Sequence, residues 1–460
     1  MVHQINLASA LLTRFDLSGS VPDLDRSTAL LETAAGAPVT GERGRLARDV
    51  NLASALSTRH YVTGDLRALD DAVAAARRGA GEADGPDRRH ALATLAGVLR
   101  QRFARRRDVA DLEAAIAAAR SALSATDPAD VERGAVLSTL AHTLADRYER
   151  RGDICNLDEA VTHARAAVAA GTSVAGRPAL ESGLSVILLS HVDATGDTTE
   201  LVEAAAAARA AVDGTAPDHP DLAMYQSNLA NALRAQHTAG GPSSLLDESV
   251  TLLEAAIANT PAQHPNTAWL QSNLAAALHH RDGAADRADG MAAWLRAGRS
   301  ATAPTWVRLR AVAEALEWAW DGADPATAAD AGSLAVQLLD ELAWHGLTRP
   351  DRQEQLAVWN GLAGAAAAAG VATGSAEAAV RSLEQGHAVL WTQVLRQRTP
   401  LSRLADQHRD LADRLRVIGG RIDALGGEPS PVLHGIARDR TDHHDGAETI
   451  DAPHNAPPDL

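Results

Sequence analysis

Four asparagines and one arginine stand at positions where side-chain type and spacing suggest chemistry: Asn51, Asn228, Asn231, Arg234 and Asn273. One asparagine amide offers a donor and an acceptor together. Asn228, Asn231 and Arg234 follow one another at intervals of three residues, so on a helix they share roughly one face. Arg234 adds a cation able to pair with a carboxylate. The chemistry these residues describe is hydrogen bonding and ion pairing rather than turnover.

Nucleophilic, metal and phosphate chemistry are poorly provided for. All 43 basic residues are arginine, so the chain has no Walker-A lysine and no Schiff-base lysine. The lone Cys155 excludes a disulfide within the chain and any zinc site built on two or more cysteines. It falls in Arg151-Gly152-Asp153-Ile154-Cys155-Asn156, read as a loop just before a helix, where an incidental thiol is expected. Gly361, Gly364 and Gly370 form no GxGxxG after a strand pattern, which argues against nucleotide binding. His434, His443, His444 and His454 are irregularly spaced in a segment with no scaffold, and no metal site is expected there. The chain therefore reads as non-enzymatic, with no catalytic residue, no metal and no cofactor.

With 59 acidic residues the net charge is −16, which argues against a generic nucleic-acid binder. The one dense basic cluster, Arg100, Arg102, Arg105, Arg106 and Arg107, is expected at a helix C-terminus, where cations meet the negative end of the dipole. An acidic partner is the other reading of that patch. No apolar run reaches the length of a membrane span, and the N-terminal residues lack a basic region and cleavage site of the secretory kind. A cytoplasmic protein with no membrane partner is expected.

A repeat must position these residues. A leucine followed by a small residue, with a second leucine four positions on, begins at Leu7, Leu52, Leu95, Leu140, Leu184, Leu229 and Leu274. The gaps between copies are 45, 43, 45, 44, 45 and 45 residues. The small residue is Ala8, Ala53, Ala96, Ala141, Ser185, Ala230 and Ala275. A second pattern follows in the first six copies, from Leu24, Leu69, Leu112, Leu157, Leu201 and Leu246. Three residues on it has its own small position: Ser27, Ala72, Ala115, Ala160, Ala204 and Ser249. Leucines at i and i+4 share a helix face, and small residues beside them let two helices approach closely. Each unit reads as helix A, loop, helix B. Neither helix buries its stripe alone, so neighbouring units must stack.

Leu140, Ala141 and Leu144 on helix A, with Ala160 and Ala167 on helix B, resemble the tetratricopeptide repeat signature, lengthened by an extended loop. The turn Pro217-Asp218-His219-Pro220 and the following Ser227 to Ala230 resemble the long-repeat subclass of kinesin light chains. The unit as a whole resembles the arrays that precede the peptidase domain in actinobacterial CHAT-domain proteins. The stretch from Ser382 to Trp391 is similar to one found there shortly before that domain. The resemblance implies an all-α, right-handed superhelical solenoid of antiparallel helix pairs whose concave groove is lined by helix A. It implies that the residue before the anchor leucine points into the groove, where asparagine bonds the backbone of an extended peptide. That residue is Asn6, Asn51, Thr94, Thr139, Gly183, Asn228 and Asn273. No caspase-like region with its His and Cys follows residue 425. The implied function is a protein- or peptide-binding scaffold, the recognition half of a CHAT-type system whose peptidase is supplied in trans. The alternatives are a truncated peptidase and a self-associating scaffold.

Along the chain, residues 1–282 read as regular repeats and 283–400 as degenerate, tryptophan-rich ones. Helices are expected near 304–320, 325–345, 350–369 and 374–393. The tryptophans of that region read as gap fillers between less regular helices. Residues 401–425 read as a terminal helix with a heptad-like stripe from Leu404 to Leu425. Residues 426–460, rich in Gly, Pro, Asp and His, read as a disordered tail.

Overall fold

The computed structural model describes residues 2–387, apart from 19, 37–41, 64, 83–84, 171–175, 263, 265 and 343–355, together with 409–414 and 417. The chain divides into a unit of residues 1–398 and a second of 399–460. In the second unit the described residues 409–414 are helical. The heptad-like stripe falls largely outside the described residues, as do Trp344, Trp391 and the segment 388–391.

In the first unit the described residues contain helices and no strand. They pair in chain order. α1 (Val2–Ser18) packs on α2 (Val21–Ala35), α3 (Glu42–Thr63) on α4 (Leu66–Glu82), and α5 (Gly85–Arg106) on α6 (Val109–Ser124). α7 (Arg133–Arg151) packs on α8 (Ile154–Ala170), α9 (Arg177–Thr195) on α10 (Leu201–Asp213), and α11 (Leu222–Thr238) on α12 (Ser244–Ala258). α13 (Thr267–Arg281) packs on α14 (Ala284–Gly298), α15 (Thr305–Asp321) on α16 (Pro325–Leu342), and α17 (Leu362–Ala372) on α18 (Ala376–His387). The odd-numbered helices are helix A and the even-numbered ones helix B. The result is a tetratricopeptide-like α-solenoid. Cys155 belongs to the first turn of α8 rather than to the loop before it, because Asp153 accepts the Cys155 N–H at 3.1 Å and starts the helix early.

The small positions explain the packing. Ala8, Ala53, Ala96, Ala141, Ser185, Ala230 and Ala275 are all 0% exposed, as are their helix B counterparts Ser27, Ala72, Ala115, Ala160, Ala204 and Ser249. The two helices approach until a hydroxyl on one meets the backbone of the other. Ser27 Oγ donates to the Ala8 carbonyl at 2.8 Å, and Ser249 Oγ to the Ala230 carbonyl at 2.9 Å. The anchor leucines close over this contact. Leu7, in the first pair, is the exception at 42% exposed.

Polar braces fix four of the first five pairs. A side chain near the end of helix A reaches the residue just before the helix B leucine. Arg102 Nε donates to Asp111 at 2.6 Å, Arg147 Nε to Asn156 at 2.7 Å, and His191 meets Glu200 at 2.7 Å. Arg14 holds Asp23 in the same way. A second set joins successive B helices: Arg120 to Glu159, Arg165 to Glu203 and Arg209 to Glu248, at 2.9, 2.7 and 2.9 Å. These exposed pairs contribute under about 1 kcal/mol each, but they set register.

From α5 onward the chain turns from each A helix to its B helix through one left-handed residue. It is Arg107 (φ 58°), Gly152 (70°), Gly196 (74°), Gly240 (103°), Asp282 (51°), Ala323 (55°) and Gly374 (77°). This turn continues beyond residue 283, where the leucine pattern fades. Trp294 and Trp318 fill the core there edge to face, with centroids 5.3 Å apart. Trp320 instead stands 49% exposed.

Successive A helices pack on one another throughout, whereas substantial packing between successive B helices is confined to α16 and α18. The A helices therefore line the inner wall. The coil is tight enough to meet itself. The C-terminal ends of α3 and α5 touch the starts of α13 and α15. Asn266 Nδ2 donates to the Tyr61 hydroxyl at 3.1 Å, and Trp306 Nε1 to the Ala104 carbonyl at 2.9 Å. The Arg107 guanidinium lies 4.1 Å over the Trp306 ring.

The left-handed turns give a test. An L side chain in that region costs on the order of 1 kcal/mol relative to glycine. Gly152→Ala should lower the stability and the thermal midpoint and Ala323→Gly should raise both, each by about 1 kcal/mol in stability, in unfolding followed by circular dichroism.

Candidate binding surface on the inner wall

The inner wall is held together by two hydrogen-bonded ladders that step from one A helix to the next. In the first, the asparagine before the anchor leucine reaches back to a serine. Asn228 Nδ2 donates to Ser182 Oγ and Asn273 Nδ2 to Ser227 Oγ, both at 2.8 Å. In the second, a residue two turns further along meets the next helix. Ser57 Oγ donates to Gln101 Oε1 at 2.6 Å, Arg100 Nε to Asp146 at 2.9 Å, and Arg234 Nη1 to His280 Nε2 at 3.3 Å. Each ladder asparagine thus spends one N–H on its neighbour and keeps its carbonyl oxygen and a second N–H.

The first ladder is interrupted at Gly183. His142 of the preceding A helix occupies that space, and a Cβ on Gly183 would lie 2.6 Å from His142 Cε1. The imidazole Nδ1–H donates to the Ser138 carbonyl at 2.9 Å. Burial, reinforced by nearby Arg100, lowers the His142 pKa to about 4.

The expected residues separate at this point. Arg234 and Asn273 line one cavity of about 160 Å³ between α11, α13 and α15. Asn228 and Asn231 lie on α11, half-buried and outside the cavity lining. Asn51 is half-buried on α3, at a distant position in the array. The cavity adds residues that the repeat pattern did not single out: Ser272, His280, Trp269, Arg310 and Glu314. Arg310 and Glu314 sit on α15, beyond the strict leucine period.

Arg234 dominates the electrostatics. Its Nε is buried and has no hydrogen-bond partner, and burial pulls its pKa below the usual arginine value. His280 is also lowered, by burial first and then by Arg234. A neutral His280 with a free Nε2 lone pair is what the bond from Arg234 requires. Two guanidiniums and one carboxylate, Glu314, make the cavity locally cationic in a chain of net charge −16. Hydrogen-bond donors from Asn273 and Ser272 stand beside them. This arrangement can hold a small carboxylate-bearing group together with an adjacent amide.

A second, apolar groove of about 650 Å³ runs between α15 and α17, with Trp320 and Trp359 on its walls. Among the described residues no helix is long and apolar enough to cross a membrane.

No family model matches the chain, and no curated protein matches it. Several solved structures share its helical course. The human IFIT1 dimer with m7Gppp-AAAA is 11% identical, with a TM-score of 0.46 over 81% of this chain and 78% of that one. The apo form of RapI is 10% identical, with a TM-score of 0.43 over 84% of this chain and 96% of that one. A Rap protein complexed with competence and sporulation factor is 11% identical, with a TM-score of 0.42 over 80% and 98%.

His142 yields a pH prediction. Its folded-state pKa lies below that of the unfolded chain, so the unfolded state binds the proton more tightly. Stability is intact above the ordinary histidine value of 6.5 and falls as the pH drops toward 4. Denaturant unfolding between neutral pH and the acid end of that window should lose up to about 3 kcal/mol from this residue. His142→Gln should flatten that part of the profile.

Proposed function

We propose that the chain is a non-enzymatic scaffold that binds a protein or peptide along its inner wall, anchoring a carboxylate in the Arg234 cavity. One observation carries this reading. Arg234 holds a buried, unpartnered Nε in a cavity it shares with Asn273 and Arg310. A buried donor without an acceptor costs about 1–3 kcal/mol, and a ligand carboxylate would remove that cost. The remaining amide groups of Asn228 and Asn273 suit an extended backbone, because an amide matches a peptide group in both donor and acceptor.

The resemblance of the repeats and of residues 382–391 to the arrays before CHAT peptidases gives the partner class we propose: a CHAT-type peptidase carried by another chain, met in the cytoplasm. The net charge of −16 favours such a protein partner over a nucleic acid.

The test is selection of displayed random peptides with free C-termini on the intact chain, followed by calorimetry on the enriched peptide. Arg234→Ala and Asn273→Ala should each weaken it by at least about tenfold, equivalent to about 1.4 kcal/mol. Circular dichroism should be unchanged. Full affinity in a folded Arg234→Ala variant removes the assignment. So does equal binding of the C-terminally amidated peptide lacking acidic side chains.

A further inference from the structure

The basic cluster at the end of α5 is not a uniform solvated helix end. Arg100 pairs with Asp146, Arg102 with Asp111, Arg106 with Asp70 and Arg107 with Glu149. Arg105 differs. It is half-buried and has no hydrogen bond or ion pair among the described residues. Its pKa is pulled down by burial and then by Arg308, which is itself held by Glu341 at 2.6 Å.

Arg105 faces a cavity of about 200 Å³ at the seam where the coil meets itself. Its walls come from both sides of that seam: Tyr61 and Gln101 from the first side, Asn266, Trp269 and Trp306 from the other. Trp269 and Trp306 stand edge to face, with centroids 5.1 Å apart. A guanidinium partly withdrawn from water beside another cation lacks a counter-charge. Around it stand flat aromatic faces and amides. An apolar cavity of about 150 Å³ accepts benzene, so this space matches one ring with a charged substituent.

We propose that the seam cavity binds a compact anion built on a single planar ring, bearing a carboxylate or phosphate, with Arg105 as its counter-charge and the tryptophans as its walls. The site shares Trp269 with the Arg234 cavity but has a cation of its own, Arg105. Because its walls belong to segments some 200 residues apart in sequence, the occupant stabilises the closed coil through mass action.

Calorimetry and thermal melts of the full chain with four probes test this: benzoate, phenyl phosphate, neutral benzamide and inorganic phosphate. Benzoate or phenyl phosphate should bind and raise the melting temperature, and the tighter of the two identifies the headgroup. Benzamide should bind at least about tenfold more weakly. Arg105→Gln should lose at least about tenfold in affinity and Trp306→Leu should also weaken binding. Arg234→Ala should leave it unchanged, which keeps this site distinct from the inner-wall reading. Undiminished benzoate binding by folded Arg105→Gln overturns the proposal. So does equal binding of benzamide, or of inorganic phosphate, or failure of both ring anions to bind at millimolar concentration.

Discussion

Everything in the first unit depends on how closely helix A approaches helix B. Thirteen small side chains with no exposed surface set that distance, and in two repeats a serine hydroxyl on helix B reaches a helix A carbonyl. A larger side chain at any of them would force the pair apart, and cores respond to added methylenes with strain of about 1–3 kcal/mol. The approach fixes the thickness of each repeat. Thickness fixes the curvature of the array, and curvature brings the end of α5 against the start of α15. The inner-wall cavity and the seam cavity are both downstream of this one contact. Alanine is abundant here because the close contacts require it, whatever bias in coding also supplies it.

This contact is also what made the fold readable in the sequence. A small residue next to an anchor leucine, kept in register over seven copies, encodes local packing that every repeat must solve for itself. The left-handed turn was partly legible, because Gly152, Gly196 and Gly240 announce it. Arg107, Asp282 and Ala323 adopt the same conformation without announcing it. The turn therefore continues beyond the point where leucines stop marking the period. Closure of the coil was not legible at all. It is the sum of many small rotations, and no residue near Tyr61 or Trp306 records a partner some 200 positions away.

The candidate site shows the same division. Arg234 and Asn273 were visible because they fall on the repeat. Arg310 and Glu314 were not, since they lie where the register fades. Acidic residues follow the helix B leucine in several repeats, near the positive end of the helix dipole. Glu159, Glu203 and Glu248 also serve as acceptors for arginines on the preceding helix B. A local preference and a longer-range pairing thus fall on neighbouring positions, and only the first can be read from one repeat.

The asparagine ladder changes where specificity must reside. If both N–H groups and the carbonyl of each inner-wall amide faced the groove, an extended backbone could be held along its length. Asn228 and Asn273 instead each commit one N–H to a serine on the preceding helix, and His142 fills the space where Gly183 leaves the ladder open. The bond fixes the amide plane, so what remains is a preorganised but shorter row of polar groups. Such a row gives orientation rather than selectivity. Discrimination then falls to the groups whose charge is still unbalanced, and on this wall those gather around the buried Nε of Arg234.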